Sequence, residues 1–181
     1  TPRVKLSAAH YQLNRARAIV QGRAKELRGS EGRAEFGVQV KVFQQAVQSA
    51  LAVADSPEKC DASLSRLLVQ VEELEGRFGE FDEFATELAT RREELHDAFS
   101  ARRQALLDER QKRAQNLLNA ADRILQGVLR RARAFATAEE LNSFFAGDPM
   151  VTKARELVEQ LRGLNDTVKA DEIDGRIRSA K

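Results

Sequence analysis

Several residue types are scarce or missing in this chain of 181 residues. It has no tryptophan, one tyrosine, one cysteine and three prolines, and aromatic residues make up only 6%. A single cysteine excludes an internal disulfide and fits a reducing compartment. No apolar run approaches the roughly 18 residues that a membrane-spanning helix needs. The sequence therefore predicts no membrane partner.

Motifs that carry catalysis or bind cofactors are also missing. The sequence has no GxxxxGKS/T loop for phosphates and no CxxC pair for zinc. His10 and His96 are isolated, Cys60 fits an apolar seam, and no Ser/His/Asp or Cys/His arrangement can be argued. We therefore predict no catalytic, cofactor-binding or metal site, and we do not expect this stretch to be an enzyme.

The residues that are present favour helix. Hydrophobic residues make up 42% of the chain and charged residues 32%, with many Ala, Leu, Glu, Arg and Gln. This mixture is typical of an all-α or coiled-coil protein. The chain starts at Thr1 without a charged and then apolar leader. It is therefore expected to be a cytoplasmic piece of a longer protein.

Apolar residues recur in alternating steps of four and three, which is the pattern of a coiled-coil seam. After Pro57 only Arg92 occupies a seam position without being apolar. The apolar seam residues there are Cys60, Leu64, Leu67, Val71, Leu74, Phe78, Phe81, Ala85, Leu88, Leu95 and Phe99. Before Pro57 the seam consists of Phe36, Val40, Phe43, Val47, Ala50 and Ala54, preceded in a shifted phase by Leu6, Ala9, Leu13, Ala16, Val20 and Leu27. Two such helices joined by a turn near residues 55–57 predict an antiparallel hairpin.

Folding the chain at residue 57 gives this hairpin a register. Phe36 then meets Phe78 and, after a slip of one residue, Leu27 meets Leu88, Val20 meets Leu95 and Ala16 meets Phe99. The basic Arg23, Lys25, Arg28 and Arg33 come level with acidic side chains between residues 80 and 93. The seam continues past residue 99 with one stutter. The second helix is therefore predicted to run from residue 57 to about 135.

The last third of the chain divides into three short helices. Thr137 and Glu140 form a capping box, and Asp148 and Asp166 mark the next two starts. Their apolar stripes are expected to fold back on residues 117–135. The predicted fold class is thus all-α, with an antiparallel coiled-coil hairpin over residues 1–106. Residues 107–181 continue the long helix and add three short helices that form a bundle at its base.

Glycines collect in two places along the predicted hairpin, although each costs a helix interior about 1 kcal/mol relative to alanine. In the register above, residues 28–37 and 76–85 fall at nearly the same height. We therefore predict an elbow at which the arm bends. The glycines concerned are Gly29, Gly32, Gly37, Gly76 and Gly79.

Two basic stretches form the remaining signal. They cover residues 102–113 and 130–133, and a basic helix can bind phosphates without sequence preference. A solvated or internally paired face and a protein partner are the alternatives. The candidate nucleic-acid contacts are Arg102, Arg103, Arg110, Lys112, Arg113, Arg130, Arg131 and Arg133.

Three regions together resemble a known family over most of residues 27–181. They read EGRAEFGVQ (31–39), RFGEFDEFATELATRREEL (77–95) with FSARRQALLDER (99–110), and FFAGDPMVTKARELVEQLRGLNDTVKADEIDGRI (144–177). They are similar to the helical middle region of very large bacterial proteins described as DNA-repair ATPases, which carry an AAA-type ATPase module elsewhere. The resemblance implies a bacterial, cytoplasmic, ATP-driven parent protein with a DNA-repair role, and ATP as a cofactor of that parent. None of the family's nucleotide-binding motifs lies in this stretch.

The sequence therefore predicts a non-catalytic coiled-coil arm or spacer of a larger ATPase, with other domains of the same chain as partners. One alternative is a helical module that contacts DNA through the basic stretches. The other is an oligomerisation coiled coil, because residues 57–100 are acidic and residues 101–135 basic, so two copies could pair as a homodimer.

Overall fold

The computed structural model describes the backbone of residues 2–181 and, within that range, the side chains of residues 8–181. The described residues form helices and no strand, so the chain is all-α as predicted. The helices are α1 (Pro2–Val53), α2 (Pro57–Phe78), α3 (Asp82–Ala132), α4 (Ala138–Gly147), α5 (Pro149–Gly163) and α6 (Thr167–Ser179). None of the described helices is both long enough and apolar enough to cross a membrane.

The predicted helix starts are confirmed by their hydrogen bonds. The Ser56 hydroxyl accepts from the backbone N–H of Lys59, ahead of Pro57 at the first position of α2. The Thr137 hydroxyl accepts from the N–H of Glu140, and the Glu140 carboxylate accepts from the N–H of Thr137. The side chains of Asp148 and Asp166 accept backbone N–H groups at the starts of α5 and α6. Capping of this kind satisfies the first N–H groups, which have no partner within the helix.

Contacts divide the chain into two compact units, residues 1–103 and 104–181, with α3 contributing to both. In the first unit α1, α2 and the first half of α3 share one core. Phe36 packs edge-on against Phe78, which is the predicted pairing, and also stacks on Phe84 of α3 with ring centroids 4.2 Å apart. The other fully buried large side chains of this core are Leu67, Val71, Leu88, Leu95 and Phe99.

The prediction of one helix from residue 57 to about 135 is wrong. Helix α2 ends at Phe78, and the chain turns through Gly79, Glu80 and Phe81 before α3 begins. Phe84 is buried beyond this turn, whereas the predicted seam residues Phe81 and Ala85 are exposed. The turn allows the ring of Phe84 to join Phe36 and Phe78. A continued helix would leave this aromatic cluster incomplete.

The register predicted for residues 16–27 is also wrong. Leu27 is 59% exposed and Val20 66% exposed, whereas their predicted partners Leu88 and Leu95 are buried. Helix α2 has 22 residues, so at 1.5 Å per residue it is only about 33 Å long. It therefore ends level with Phe36, and Leu88 and Leu95 pack into the core beside residues 36–54 instead. Leu6, also assigned to this seam, lies outside the described side chains.

The second unit confirms the predicted packing of the short helices. Ala121 and Leu125 of α3 share a core with the predicted stripes of α5 and α6, and Val128 packs with Phe144 and Phe145 of α4. The stripe residues are all buried: Val151, Ala154, Leu157, Val158, Leu161, Ala170, Ile173 and Ile177. Each short helix is amphipathic and buries its apolar face only against α3 or a neighbouring short helix.

Candidate interaction surfaces

The described residues contain no grouping of His, Cys, Asp and Glu side chains that could hold a metal ion. His10 and His96 are both exposed, and Cys60 is buried in the core. One groove of the second unit does contain charged groups, where Arg110 lies near Asp166 and Lys169. The Lys169 ammonium donates to Asp166 at 2.7 Å and lowers the pKa of that carboxyl. Asp166 also caps α6, so its carboxylate is engaged both by the start of that helix and by Lys169.

Two of the predicted nucleic-acid contacts, Arg102 and Arg103, make contacts within the first unit. The Arg102 guanidinium donates to the backbone carbonyl of Ala54 at 3.0 Å, just past the end of α1. The last carbonyls of a helix have no partner within it, so this arginine caps α1. Arg103 lies 3.4 Å from Asp61 of α2. Both arginines therefore hold the three helices of this unit together.

Arg92 joins α3 to α2. It is the only residue at a position of the predicted seam that is not apolar. Its guanidinium donates to both carboxylate oxygens of Glu75, at 3.3 Å and 2.8 Å. The hydrogen bond to Glu75 raises the pKa of Arg92 above its ordinary value. A bidentate contact of this kind fixes the relative orientation of the two side chains as well as pairing their charges. The sequence signal for it was available, because an arginine within an apolar seam needs an anionic partner.

Among the described side chains, charge pairing between α1 and its neighbours is limited to one level of the first unit. Arg33 lies 3.1 Å from Glu83 at the start of α3, and Arg77 of α2 pairs with Glu35. No ion pair among the described residues includes Arg23, Lys25 or Arg28. The predicted match between basic and acidic residues therefore holds only at Arg33.

The first half of α1, residues 8–31, is solvent-exposed around almost its whole circumference. Its predicted seam residues Ala9, Leu13, Ala16, Val20 and Leu27 are all exposed, and so are Tyr11 and Ile19. The same segment carries five basic and two acidic side chains. An apolar stripe at heptad spacing is a surface for another helix. No described part of the chain covers it.

The remaining predicted contacts lie on α3 within the second unit, and Arg131 among them is engaged. Its guanidinium lies 2.7 Å from the buried carboxylate of Asp148 and 5.2 Å from the centre of the Phe144 ring. Arg131 therefore holds α4 and α5 against α3. In contrast, Lys112, Arg113, Arg130 and Arg133 are exposed, and Arg110 is half-buried. Sequence reasoning overlooked Arg123, an exposed arginine between the two basic stretches.

The predicted elbow glycines occupy different settings. Gly29, Gly37 and Gly76 have open space where a side chain would project, and a β-carbon added to Gly32 would lie 3.8 Å from the Phe81 ring. A methyl group on Gly79 would collide with the carbonyl oxygen of Glu75. Helix α1 continues without interruption through residues 29–37. Bending at this level stays a prediction.

Comparisons with family models, with curated proteins and with solved structures found no match to this chain.

Proposed function

We propose that this chain is a non-catalytic helical arm or spacer that pairs with a helix supplied from outside the described residues. The supporting observation is the exposed apolar stripe on residues 8–31 of α1. Beyond Phe36 the same helix buries its stripe against α2 and α3. We infer that the free stripe is buried in the same way, by a partner helix in a coiled-coil arrangement.

The charges beside the stripe indicate the character of that partner. Residues 8–31 have five basic and two acidic side chains, so a second copy of the same segment would be repelled. An acidic amphipathic helix would be attracted to the segment and would bury its apolar residues. An acidic helix from another domain of the parent protein fits this requirement, and so does the acidic region of a second copy.

The parent protein is part of the same proposal. The resemblance of residues 27–181 to the middle region of large bacterial DNA-repair ATPases implies a cytoplasmic, ATP-driven parent protein. Sequencing the complete gene tests this part. We expect a nucleotide-binding loop in the same reading frame, and a complete reading frame without one would contradict the family assignment.

Binding of a synthetic peptide tests the free stripe. The probe is a heptad helix with leucine at the seam and glutamate at the flanking positions, and its basic counterpart carries lysine instead. We expect the acidic peptide to bind at least about tenfold more tightly, which corresponds to about 1.4 kcal/mol. Equal binding of both peptides, or of neither, would contradict the proposal.

Two variants locate the binding. Replacing Leu13, Val20 and Leu27 with glutamine should weaken binding by at least about 100-fold, because burying each side chain is worth about 1.5–3 kcal/mol. The matched control replaces Val38, Val42 and Val53, which are also exposed on α1. This control should bind as the unaltered chain does. Sedimentation of the chain alone tests the homodimer alternative. A homodimer requires self-association, and the variant with glutamine at Leu13, Val20 and Leu27 should abolish it.

A further inference from the structure

One face of α3 in the second unit carries a continuous polar stripe. Seven residues recur in steps of four and three, and all are exposed. Six of them therefore lie along one side of the helix, and the seventh, Arg133, follows in the turn after the end of α3 at Ala132. We refer to this set as the α3 stripe: Lys112, Asn116, Asn119, Arg123, Gln126, Arg130 and Arg133.

The α3 stripe is positively charged and its cations are unengaged. Lys112, Arg123, Arg130 and Arg133 take part in no ion pair within the described part of the chain. From residue 110 to 133 the only acidic residue is Asp122, and Arg176 of α6 pairs with it. Four cations therefore face solvent along this helix without a neutralising carboxylate.

Most carboxylates of α5 and α6 pair with nearby cations. Glu156 pairs with Lys153, Glu159 pairs with Arg162, and Asp174 pairs with Arg178. Local pairs of this type neutralise much of the charge of α5 and α6. The positive field of the second unit is therefore concentrated on the α3 stripe.

The uncharged members of the stripe are hydrogen-bonding amides. The Asn119 carbonyl oxygen accepts from the Gln115 amide at 3.0 Å, which leaves the Asn119 NH₂ group free to donate outward. Asn116 and Gln126 also have NH₂ donors and are exposed. Alternating cations and amide donors suit the oxygens of a row of phosphates.

We propose that the α3 stripe binds the phosphate backbone of duplex DNA without sequence preference. From Lys112 to Arg130 the stripe covers 18 residue steps of helix, or about 27 Å, which is most of the 34 Å length of one duplex turn. It contains no aromatic residue to stack on unpaired bases. It also has no apolar side chain to enter a membrane, because the apolar side of α3 is buried in the unit's core.

Salt dependence of DNA binding is the test. The probe is a labelled 25-base-pair duplex of arbitrary sequence, followed by anisotropy between 50 and 200 mM salt. With up to four phosphate contacts, the logarithm of the binding constant should fall with a slope of about −3 to −4 against the logarithm of salt concentration. This slope corresponds to a loss of roughly 100-fold in affinity across that range.

Matched variants distinguish DNA binding by the α3 stripe from a general effect of the chain's net charge. Replacing Lys112, Arg123, Arg130 and Arg133 with glutamine should abolish binding, and each single replacement should reduce the slope by about 1. The control makes the same change in charge on α1 by replacing Arg15, Arg17, Arg23 and Lys25, and it should retain binding. Melting curves should confirm that both variants keep their helices.

Three outcomes would overturn the proposal. They are no duplex binding at 50 mM salt, equal loss of binding in the α1 control, and stripe-dependent binding to phosphatidylserine vesicles but not to DNA. Because the acidic peptide binds a different segment, the arm proposal and the DNA proposal can fail separately.

Discussion

Gly76 and Gly79 are three residues apart, but they differ in the space available for a side chain. Gly76 lies in the last turn of α2 with nothing near the position of a β-carbon. Gly79 follows the end of α2, and its N–H donates to the Glu75 carbonyl oxygen at 2.9 Å. A methyl group on Gly79 would collide with that same oxygen. The two positions therefore respond in opposite ways to alanine.

We expect Gly76→Ala to raise the free energy of unfolding by about 0.5–1 kcal/mol, because alanine favours helix and nothing obstructs it. Gly79→Ala should lower it, because the turn between α2 and α3 must shift. Urea denaturation of the two variants measures both effects. Changes of the same sign would show that the turn is less constrained than its contacts indicate.

At the scale of whole elements, the ends of helices were easier to predict than the places where the chain reverses. Ser56, Thr137 and Asp166 signal helix starts because capping uses side chains close in sequence. The turn after Phe78 was signalled only by Gly76 and Gly79, which were interpreted as a bend, because the apolar steps from Leu74 to Phe81 keep their spacing across it. Heptad spacing reports which face of a segment is apolar, but not whether the chain folds back between two heptads.

Helix α6 depends on the ionised form of its cap. The Asp166 carboxylate accepts from the backbone N–H of Lys169 at 3.1 Å and from its ammonium at 2.7 Å, and the ammonium lowers its pKa. A lowered carboxyl pKa gives stability that is present above the ordinary value of 3.8 and is lost as the pH falls through the lowered pKa.

Asp166→Asn tests this linkage, because asparagine also caps helices but carries no charge. At pH 7 the variant should be less stable than the unaltered chain. The difference should shrink as the pH falls below about 4, since the native carboxylate then becomes protonated. Thermal melts at several pH values measure the difference, and Asp171→Asn, at an exposed position with a weaker contact, is the control. A difference that did not change with pH would contradict the role assigned to the charge.

At the scale of the whole molecule, the sequence predicted the second unit well and the first unit partly. In the second unit each short helix has one apolar stripe, which it buries against α3 or a neighbouring short helix, so periodicity alone identified the buried residues. In the first unit three helical segments share a core, and the choice between two helices and three depends on contacts such as that between Phe36 and Phe84. Such contacts join residues far apart in sequence, which local patterns cannot encode.

For the interaction surfaces too, local sequence patterns were not sufficient, because contacts between distant residues decide which cations are free. Basic residues were identified from composition, but the structure separates Arg102, Arg103 and Arg131, which hold helices together, from the exposed cations of α3. Arg123 was overlooked because it stands alone in sequence. Its membership of the α3 stripe becomes visible only when the exposed residues of α3 are compared at helical spacing.

Hydrogen exchange along α1 tests the central claim, that its first half lacks a partner, most directly. In the chain alone, amides of residues 8–31 should exchange about 100 times faster than those of residues 36–53, which pack on α2 and α3. The acidic heptad peptide should slow exchange in residues 8–31 and leave residues 36–53 unchanged. Equal protection of the two segments in the monomeric chain without peptide would contradict the account.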